Sequence, residues 1–250
     1  MTVANVVTSA ARVVLRSGLF APAGPLTMVR IAREALRGGA NPATVMAIAA
    51  VRWPDRTAVI DDDGALSYGE LQSRTESLAA ALVYRYRVGP GVSVGILCRN
   101  GHGFMQALFA AASVGADVVL LNTDFRTDAL AAALDAHRIQ TVICDDGFAD
   151  RVHAADEGVA VVDPVLDIHE GAPRPKAGPR GRIVLLTSGT TGTPKGVPRT
   201  PSITPALGVG VVFLDRIGLR AGSRIAVRFP CFTRSGLGCC CSRSRSVALC

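Results

Sequence analysis

Charged and aromatic side chains are scarce in this sequence. Of its 250 residues, 19% are charged and 5% are aromatic, whereas 49% are hydrophobic. Ordinary domains have a charged fraction of roughly 25%, and disordered chains combine more charge with fewer apolar residues. The composition therefore excludes wholesale disorder and predicts a folded protein of one large domain or two small ones.

Long apolar runs are also lacking, since none approaches the roughly 20 residues of a membrane-spanning helix. The amino-terminal segment does not resemble a secretory signal peptide. Arg12 is its first basic residue and, together with Arg16, it interrupts the apolar stretch. We therefore expect a cytoplasmic protein.

Cysteine pairs with the spacing of a structural zinc site are absent as well. Five of the seven cysteines lie in residues 231–250, and three of these are adjacent, at 239–241. Zinc sites need spaced pairs, whereas lone cysteines in apolar segments, such as Cys98 and Cys144, are usually small buried hydrophobes. The sequence therefore predicts no metal site.

The net charge of +7 is confined to the two ends of the chain. Residues 1–52 carry a charge of +5 and residues 231–250 carry +3, while residues 53–230 carry −1. A nucleic-acid-binding protein has clustered basic charge on its folded body, so we expect no nucleic-acid partner.

Three segments differ in character. Residues 1–50 are predicted to be a basic amphipathic helical extension, broken near 21–25 and 38–42 by proline and glycine. Such helices either lie on a membrane surface or pack on their own domain; packing is favoured, and peripheral membrane contact stays open. Residues 51–230 are predicted to be the main domain, and the Cys/Ser/Arg-rich tail 231–250 is expected to be unstructured.

The main domain alternates apolar strand patterns with helical ones. Strands are predicted at Thr57–Asp61, Val92–Cys98, Asp117–Asn122, Thr141–Asp146, Val159–Asp163, Ile183–Leu186 and Arg224–Phe229. Ser67 and Glu70 have the spacing of a capping box, and Thr127 is expected to cap a later helix. Continuously apolar strands that alternate with helices indicate an α/β fold, with a mostly parallel sheet and helices on both faces.

The segment Thr187–Gly196 follows a strand and carries five hydroxyls, three glycines and one of the two lysines. Glycines let backbone N–H groups approach an anion, hydroxyls donate further hydrogen bonds, and lysine adds charge. This density of donors argues against the alternative of an ordinary surface turn. A P-loop is excluded, because Pro194 replaces its second glycine and Gly196 replaces its hydroxyl. The segment therefore predicts a polyphosphate-binding loop.

The string Leu-Thr-Ser-Gly-Thr-Thr-Gly-Thr-Pro-Lys-Gly at 186–196 closely resembles the phosphate loop of the adenylate-forming (AMP-binding) superfamily. Its members include acyl-CoA synthetases, luciferases and peptide-synthetase adenylation domains. Four upstream segments are similar to the amino-terminal subdomain of fatty-acid–CoA ligases: Pro54–Ile60, Leu66–Leu71, Val94–Asn100 and Gly115–Asn122. The resemblance covers roughly residues 45–230.

The resemblance implies a two-step ligase that uses ATP, Mg²⁺ and coenzyme A. A fatty acid or other carboxylate attacks the α-phosphate of ATP, and coenzyme A then displaces AMP. No residue has the pattern of a nucleophile, and the four histidines are scattered, so no catalytic residue is assigned. The resemblance also implies that the β- and γ-phosphates are bound by Thr187, Ser188, Gly189, Thr190, Thr191, Gly192, Thr193 and Lys195.

Other motifs of the superfamily are missing from this sequence: an aromatic-x-Thr-Glu motif, a Thr-Gly-Asp motif, and the lysine of a mobile carboxy-terminal domain. After Gly196 there is no glutamate, and Asp215 is the single aspartate. We therefore expect a fatty-acid–CoA ligase family member that is truncated and inactive alone. A non-catalytic nucleotide-binding remnant and an unrelated nucleotide-binding module stay open as alternatives.

Composition changes abruptly after Pro230. Residues 239–246, Cys-Cys-Cys-Ser-Arg-Ser-Arg-Ser, can be encoded so that reading one base earlier gives Met-Leu-Leu-Leu-Ala-Ile-Ala-Leu, an apolar helical sequence. We therefore expect that a frameshift ends the native reading frame near Pro230. The alternative is a genuine cysteine-rich tail.

Overall fold

The computed structural model describes residues 23–39, 41–165, 173–178 and 181–187, and the backbone of 195–199, 225–227 and 247–249. The α-helices in these residues are α1 (Pro25–Gly38), α2 (Pro42–Arg52), α3 (Tyr68–Tyr84), α4 (His102–Ser113), α5 (Thr127–Ala136) and α6 (Ala149–Ala155). The strands are β1 (Thr57–Asp61), β2 (Gly64–Ser67), β3 (Ser93–Leu97), β4 (Asp117–Leu120), β5 (Thr141–Cys144), β6 (Ala160–Val162), β7 (Ile183–Thr187), β8 (Lys195–Arg199), β9 (Ile225–Val227) and β10 (Val247–Leu249).

A six-stranded sheet forms the centre of the molecule, in the order β6-β5-β3-β4-β7-β8. Its first five strands are parallel to one another, and β8 runs antiparallel to β7 at the edge. The predicted fold class, an α/β protein with a mostly parallel sheet, is thus confirmed.

Helices cover both faces of this sheet. On one face, side chains of α3 and α4 form a core with Val94, Ile96 and Val118. On the other, side chains of α5 and α6 pack on Val119 and Val142. Because neighbouring residues of a strand point to opposite faces, strands covered on both sides must be apolar throughout, as these are.

A second, four-stranded antiparallel sheet has the order β2-β1-β10-β9. The predicted strands at Thr57–Asp61 and near Ile225–Val227 are present, but they belong to this sheet and not to the parallel one. Strands β1 and β2 are joined by a short turn, which suits antiparallel pairing because parallel neighbours need a long crossover. The sequence pattern did not predict that these strands form a second sheet.

The first turns of α3 and α5 differ from each other. Ser67 and Glu70 form the predicted capping box, in which each side chain accepts a hydrogen bond from the other residue's backbone N–H. The prediction for Thr127 is wrong. Thr127 is the first residue of α5, and Arg126 occupies the capping position without a side-chain hydrogen bond.

Two of the helices expected in residues 1–50 are present as α1 and α2, and they are separated at the predicted break. Residues 1–22 lie outside the described part of the chain. Within that part, no helix combines the length and the apolarity that a membrane span requires.

Residues 169–181 carry three prolines and three glycines, a composition that predicts an irregular linker. Its described part, 173–178, has no regular secondary structure. In the tail, Val247–Leu249 forms β10 and pairs with β1 and β9, whereas no regular structure was expected there. The other tail residues lie outside the described part, so the frameshift stays a prediction.

Candidate nucleotide site

The predicted phosphate loop begins at the carboxyl edge of the parallel sheet. Thr187 is the last residue of β7, and Lys195 is the first residue of the antiparallel strand β8. The two residues pair with each other across the strands. Open α/β sheets bind ligands beyond the carboxyl ends of their strands. The connecting residues Ser188–Pro194 lie outside the described part of the chain, so their contacts with a nucleotide stay a prediction.

An ion pair at the opposite edge of the sheet holds the start of β7 against β4. The carboxylate of Asp117 accepts hydrogen bonds from the backbone N–H of Arg182, at 2.7 Å, and from its Nε and Nη2, at 3.0 and 2.6 Å. The backbone ladder then continues from Val118 and Ile183 onward. The pair therefore fixes the register of the strand that ends at the predicted loop.

This ion pair also sets the protonation of its two groups. Burial disfavours the ionised form of Asp117, but the hydrogen bonds and the charge of Arg182 outweigh it and hold the pKa of the carboxyl below its usual value. The same hydrogen bonds and the negative charge raise the pKa of Arg182. Both groups are therefore charged at neutral pH.

An open groove of about 710 Å³ lies between the segment that leaves β4 for α5 and Arg151 of α6. Arg151 holds this segment, because its Nη1 donates to the carbonyl oxygens of Thr123 and Phe125 at 2.7 and 3.3 Å. Arg126 lines the groove and is exposed to solvent. A groove of this size is large enough for a nucleotide.

A second pocket, of about 250 Å³, lies between the ends of β3 and β5. The chain leaves these strands toward opposite faces, which makes this the crevice where doubly wound sheets commonly bind ligands. Its acidic residues are Asp61, Asp63, Asp145, Asp146 and Asp163. They face a single arginine, Arg99, whose backbone N–H donates to Asp145 at 2.8 Å. So much negative charge repels phosphate, which favours β7 over this crevice as the phosphate site.

Asp61 and His102 line that pocket and contact each other. Asp61 Oδ2 accepts from the backbone N–H of His102 at 2.8 Å and lies 2.7 Å from its Nδ1. With Asp63, these residues place three potential metal ligands within 4.8 Å of one another. Asp61 accepts from the backbone N–H of His102, the first residue of α4, and from that of Asp63, and these hydrogen bonds account for its position.

The two isolated cysteines are buried, as their apolar surroundings suggest. Loss of hydration on burial, with the neighbouring charge of Asp145, raises the pKa of Cys98 well above its usual value. The same causes raise the pKa of Cys144 to about 12. Because the thiolate is the nucleophilic form, neither cysteine is a nucleophile at neutral pH.

A family model described as AMP-binding enzyme matches residues 46–241, most of the chain. The chain belongs to this family. The match covers the α/β domain and the predicted phosphate loop, and it begins within α2. It identifies the protein with the adenylate-forming superfamily, as the loop sequence implied.

Relatives and solved structures agree with this assignment. The salicyl-AMP ligase / salicyl-S-ArCP synthetase of Mycobacterium tuberculosis is 35% identical in an alignment 184 residues long that covers 63% of this chain and 32% of that enzyme. The o-succinylbenzoate coenzyme A synthetase of Bacillus subtilis, solved in complex with AMP, is 25% identical with a TM-score of 0.58, over 67% of this chain and 45% of that one. The N-terminal subdomain of Klebsiella oxytoca NpsA, in complex with 3-hydroxyanthranilyl-AMSN, is 25% identical with a TM-score of 0.52. The match covers 63% of this chain and 40% of that one. The chain thus spans about a third of the ligase and less than half of either solved protein, and it matches the amino-terminal portion of the fold.

Sequence reasoning predicted a phosphate loop after β7 but missed two long-range contacts of the sheet. The ion pair of Asp117 with Arg182 joins residues 65 positions apart in the sequence. The contact of Asp61 with His102 joins residues 41 positions apart. Neither pair has a local spacing pattern. Acidic residues at the ends of predicted strands were the available sign that the crevice between β3 and β5 is negatively charged.

Proposed function

We propose that this chain supplies the phosphate-binding part of a ligase that activates a carboxylate with ATP. The observation that carries the proposal is the segment Thr187–Lys195, which matches the family's phosphate loop without a break and starts where β7 ends. In this reaction a carboxylate oxygen attacks the α-phosphorus of ATP, the bond to the β-phosphate oxygen breaks, and pyrophosphate leaves. Coenzyme A thiol then displaces AMP from the acyl-adenylate and forms a thioester.

The role proposed for the loop is electrostatic. Negative charge develops on the bridging oxygen as pyrophosphate departs, and oriented N–H and O–H donors stabilise it without reorganisation. Lys195 adds a full positive charge, and the glycines let the backbone come close to the phosphates. Arg182 and Asp117 support the loop by fixing the register of β7.

The carboxylates of this chain do not fit the magnesium site that the family implies. After Gly196 the sequence contains no glutamate and only Asp215 as an aspartate. The acidic crevice between β3 and β5 is built on a different part of the sheet edge from β7. We therefore assign no residue to Mg²⁺.

For the substrate, we propose a fatty acid, with coenzyme A as the acceptor. This choice depends on the upstream segments Leu66–Leu71 and Gly115–Asn122, which are similar to fatty-acid–CoA ligases. The relatives named above act, by their names, on salicylate and on o-succinylbenzoate. A panel of carboxylates that includes a fatty acid, salicylate and o-succinylbenzoate therefore tests the choice.

A second candidate is a protein that binds nucleotide without turnover. The absence of the aromatic-x-Thr-Glu and Thr-Gly-Asp motifs from this sequence favours it. We propose that the 250-residue chain alone is inactive as a ligase.

Calorimetric titration tests the phosphate-binding proposal. We expect ATP and pyrophosphate to bind and to compete with each other, and AMP to compete poorly because it lacks the β- and γ-phosphates. Competition by AMP as strong as that by pyrophosphate would contradict the assignment of the loop. Pyrophosphate release and acyl-CoA formation, measured over the carboxylate panel, separate an active ligase from a binding remnant.

We further propose a cytoplasmic protein that attaches peripherally to membranes through residues 1–50. This attachment is independent of the ligase chemistry, because nearly all of that segment precedes the family match at residue 46.

A further inference from the structure

Helix α1 presents an apolar face that remains exposed. Leu26, Met28, Val29 and Leu36 are 65%, 51%, 66% and 87% exposed. They are four of the eight large hydrophobic side chains exposed among the described residues, although α1 is only 14 residues long. Apolar side chains concentrated in this way on one surface mark an interaction site.

The orientation of α1 on the protein is fixed from its other side. Its half-buried positions, Thr27, Ile31, Glu34 and Gly38, recur at intervals of three and four residues and therefore share one face. The carboxylate of Glu34 on this face accepts hydrogen bonds from Nη1 and Nη2 of Arg174, at 3.2 and 2.9 Å. The opposite face is consequently held outward.

A row of positive charge runs along one side of α1, between its inward and outward faces. Arg30, Arg33 and Arg37 are exposed, and their spacing places them in one row beside the apolar side chains. Among the described residues, none of the three has an acidic partner. Glu34, the single acidic residue of the helix, faces inward and is paired.

We infer that α1 lies in the plane of an anionic bilayer, with Val29, Leu36 and their apolar neighbours inserted between lipids and the arginine row on the phosphate groups. A helix with an apolar side and an arginine-rich side binds such interfaces, and each basic residue near the surface adds to the attraction. Arginine suits this position because its stem stays in the apolar layer while its guanidinium reaches the headgroups.

Charge favours a membrane over a second copy of this chain as the occupant. A two-fold dimer through this face would bring the same surface of both copies together. Six arginines would then meet at one interface with no exposed acid of α1 to pair with them, and like charges repel. An anionic lipid surface supplies the complementary charge.

This inference depends on the proposed peripheral attachment and not on the ligase chemistry. The test is flotation of the full-length protein with vesicles of phosphatidylcholine, with and without phosphatidylglycerol. The variants are the triple R30Q/R33Q/R37Q and the single L36Q. The matched control is the triple R56Q/R87Q/R138Q, which removes three exposed arginines from elsewhere on the surface.

We expect the wild-type protein to float only with vesicles that contain phosphatidylglycerol, and less so as salt is raised. The vesicle partition coefficient of R30Q/R33Q/R37Q should be about a hundredfold lower than that of the wild type, and that of L36Q about tenfold lower. The control triple should change it little. Unchanged binding of R30Q/R33Q/R37Q, or an equal loss in the control triple, would overturn the inference. So would a wild-type dimer that L36Q dissociates, without binding to vesicles.

Nucleotide titration of the same variants keeps the two proposals apart. None of the substituted residues belongs to the phosphate loop, so ATP binding should survive each substitution. A protein that binds vesicles but not ATP would contradict the ligase proposal alone. One that binds ATP but not vesicles would contradict both the peripheral attachment and the α1 inference, whereas vesicle binding that R30Q/R33Q/R37Q leaves unchanged would contradict the α1 inference alone.

Discussion

Asp117 and Arg182 lock two adjacent parallel strands together at their amino ends. Three hydrogen bonds of 2.6–3.0 Å join the carboxylate to the backbone N–H and the guanidinium of Arg182. Asp117 is nearly buried, whereas the Arg182 side chain is 59% exposed. The fifth residue after Arg182 is Thr187, where the predicted phosphate loop begins. A surface arginine thus anchors the strand that carries the candidate site.

Asp117→Asn is expected to destabilise the protein by about 2 kcal/mol at neutral pH, because it removes the charge from a set of charge-assisted hydrogen bonds. The free energy of unfolding in urea is the measurement. Asp135→Asn is the matched control, since Asp135 is an exposed carboxylate on α5; its effect should stay within about 0.5 kcal/mol. Equal effects of the two substitutions would show that the ion pair of Asp117 with Arg182 contributes nothing to the free energy of unfolding.

The contribution of Asp117 should depend on pH in a defined direction. Its pKa is lower in the folded protein than in the unfolded chain, where it is about 3.9. The stabilisation is therefore fully present above about pH 4 and is lost as the pH falls through the folded pKa. In urea titrations, the difference between wild type and Asp117→Asn should be constant from neutral pH down to about pH 4 and shrink below it. A difference that grows on acidification would contradict this.

Gly95, in the central strand β3, has no room for a side chain. An added Cβ would lie 2.9 Å from Leu121 Cδ1, 3.2 Å from Val142 Cγ2 and 3.3 Å from Ile139 Cγ2. Gly95→Ala should cost about 1 kcal/mol and Gly95→Val about 2–3 kcal/mol, as overpacking does. Gly89→Ala is the control, because its Cβ would meet no atom within 4 Å. Thermal or urea unfolding measures all three, and equal stability of the Gly95 and Gly89 variants would be evidence against the tight contact.

Cys98 and Cys144 should resist thiol reagents in the folded protein. Burial raises the pKa of both, that of Cys144 to about 12, and the thiolate is the reactive form. The test uses a variant in which the five cysteines of residues 231–250 are replaced by serine, so that only these two remain. We expect slow labelling at neutral pH that becomes rapid in urea; rapid labelling without urea would contradict the buried placement.

Local patterns predicted the parts of this fold that depend on neighbouring residues. The apolar runs of β3, β4 and β5 are continuous because both of their faces are buried. The capping box of Ser67 and Glu70 requires only a spacing of three. The hydroxyl- and glycine-rich segment directly follows an apolar strand, so its position at a strand end was also predictable.

Contacts between distant segments were not predictable in this way. The pairing of β1 with β10, and hence a separate antiparallel sheet, depends on which strands meet in space and not on their periodicity. Two other contacts also join residues far apart in the sequence, so no local spacing pattern indicates them. They are the ion pair of Asp117 with Arg182 and the contact of Asp61 with His102. For Thr127 the error was one residue, because the preceding Arg126 is extended and already occupies the capping position.

The central claim is that the segment Thr187–Lys195 binds the phosphates of ATP, and calorimetric titration of Lys195→Ala tests it most directly. The chain offers a matched control, because Lys176 is the other lysine and is exposed in the linker. A lysine–phosphate contact is a charge-assisted hydrogen bond worth about 1.5–3 kcal/mol. We expect Lys195→Ala to weaken ATP binding about tenfold to a hundredfold and Lys176→Ala to leave it unchanged, with both variants unfolding at the urea concentration of the wild type. ATP affinity that is the same in wild type and Lys195→Ala, or reduced equally in both variants, would contradict this claim.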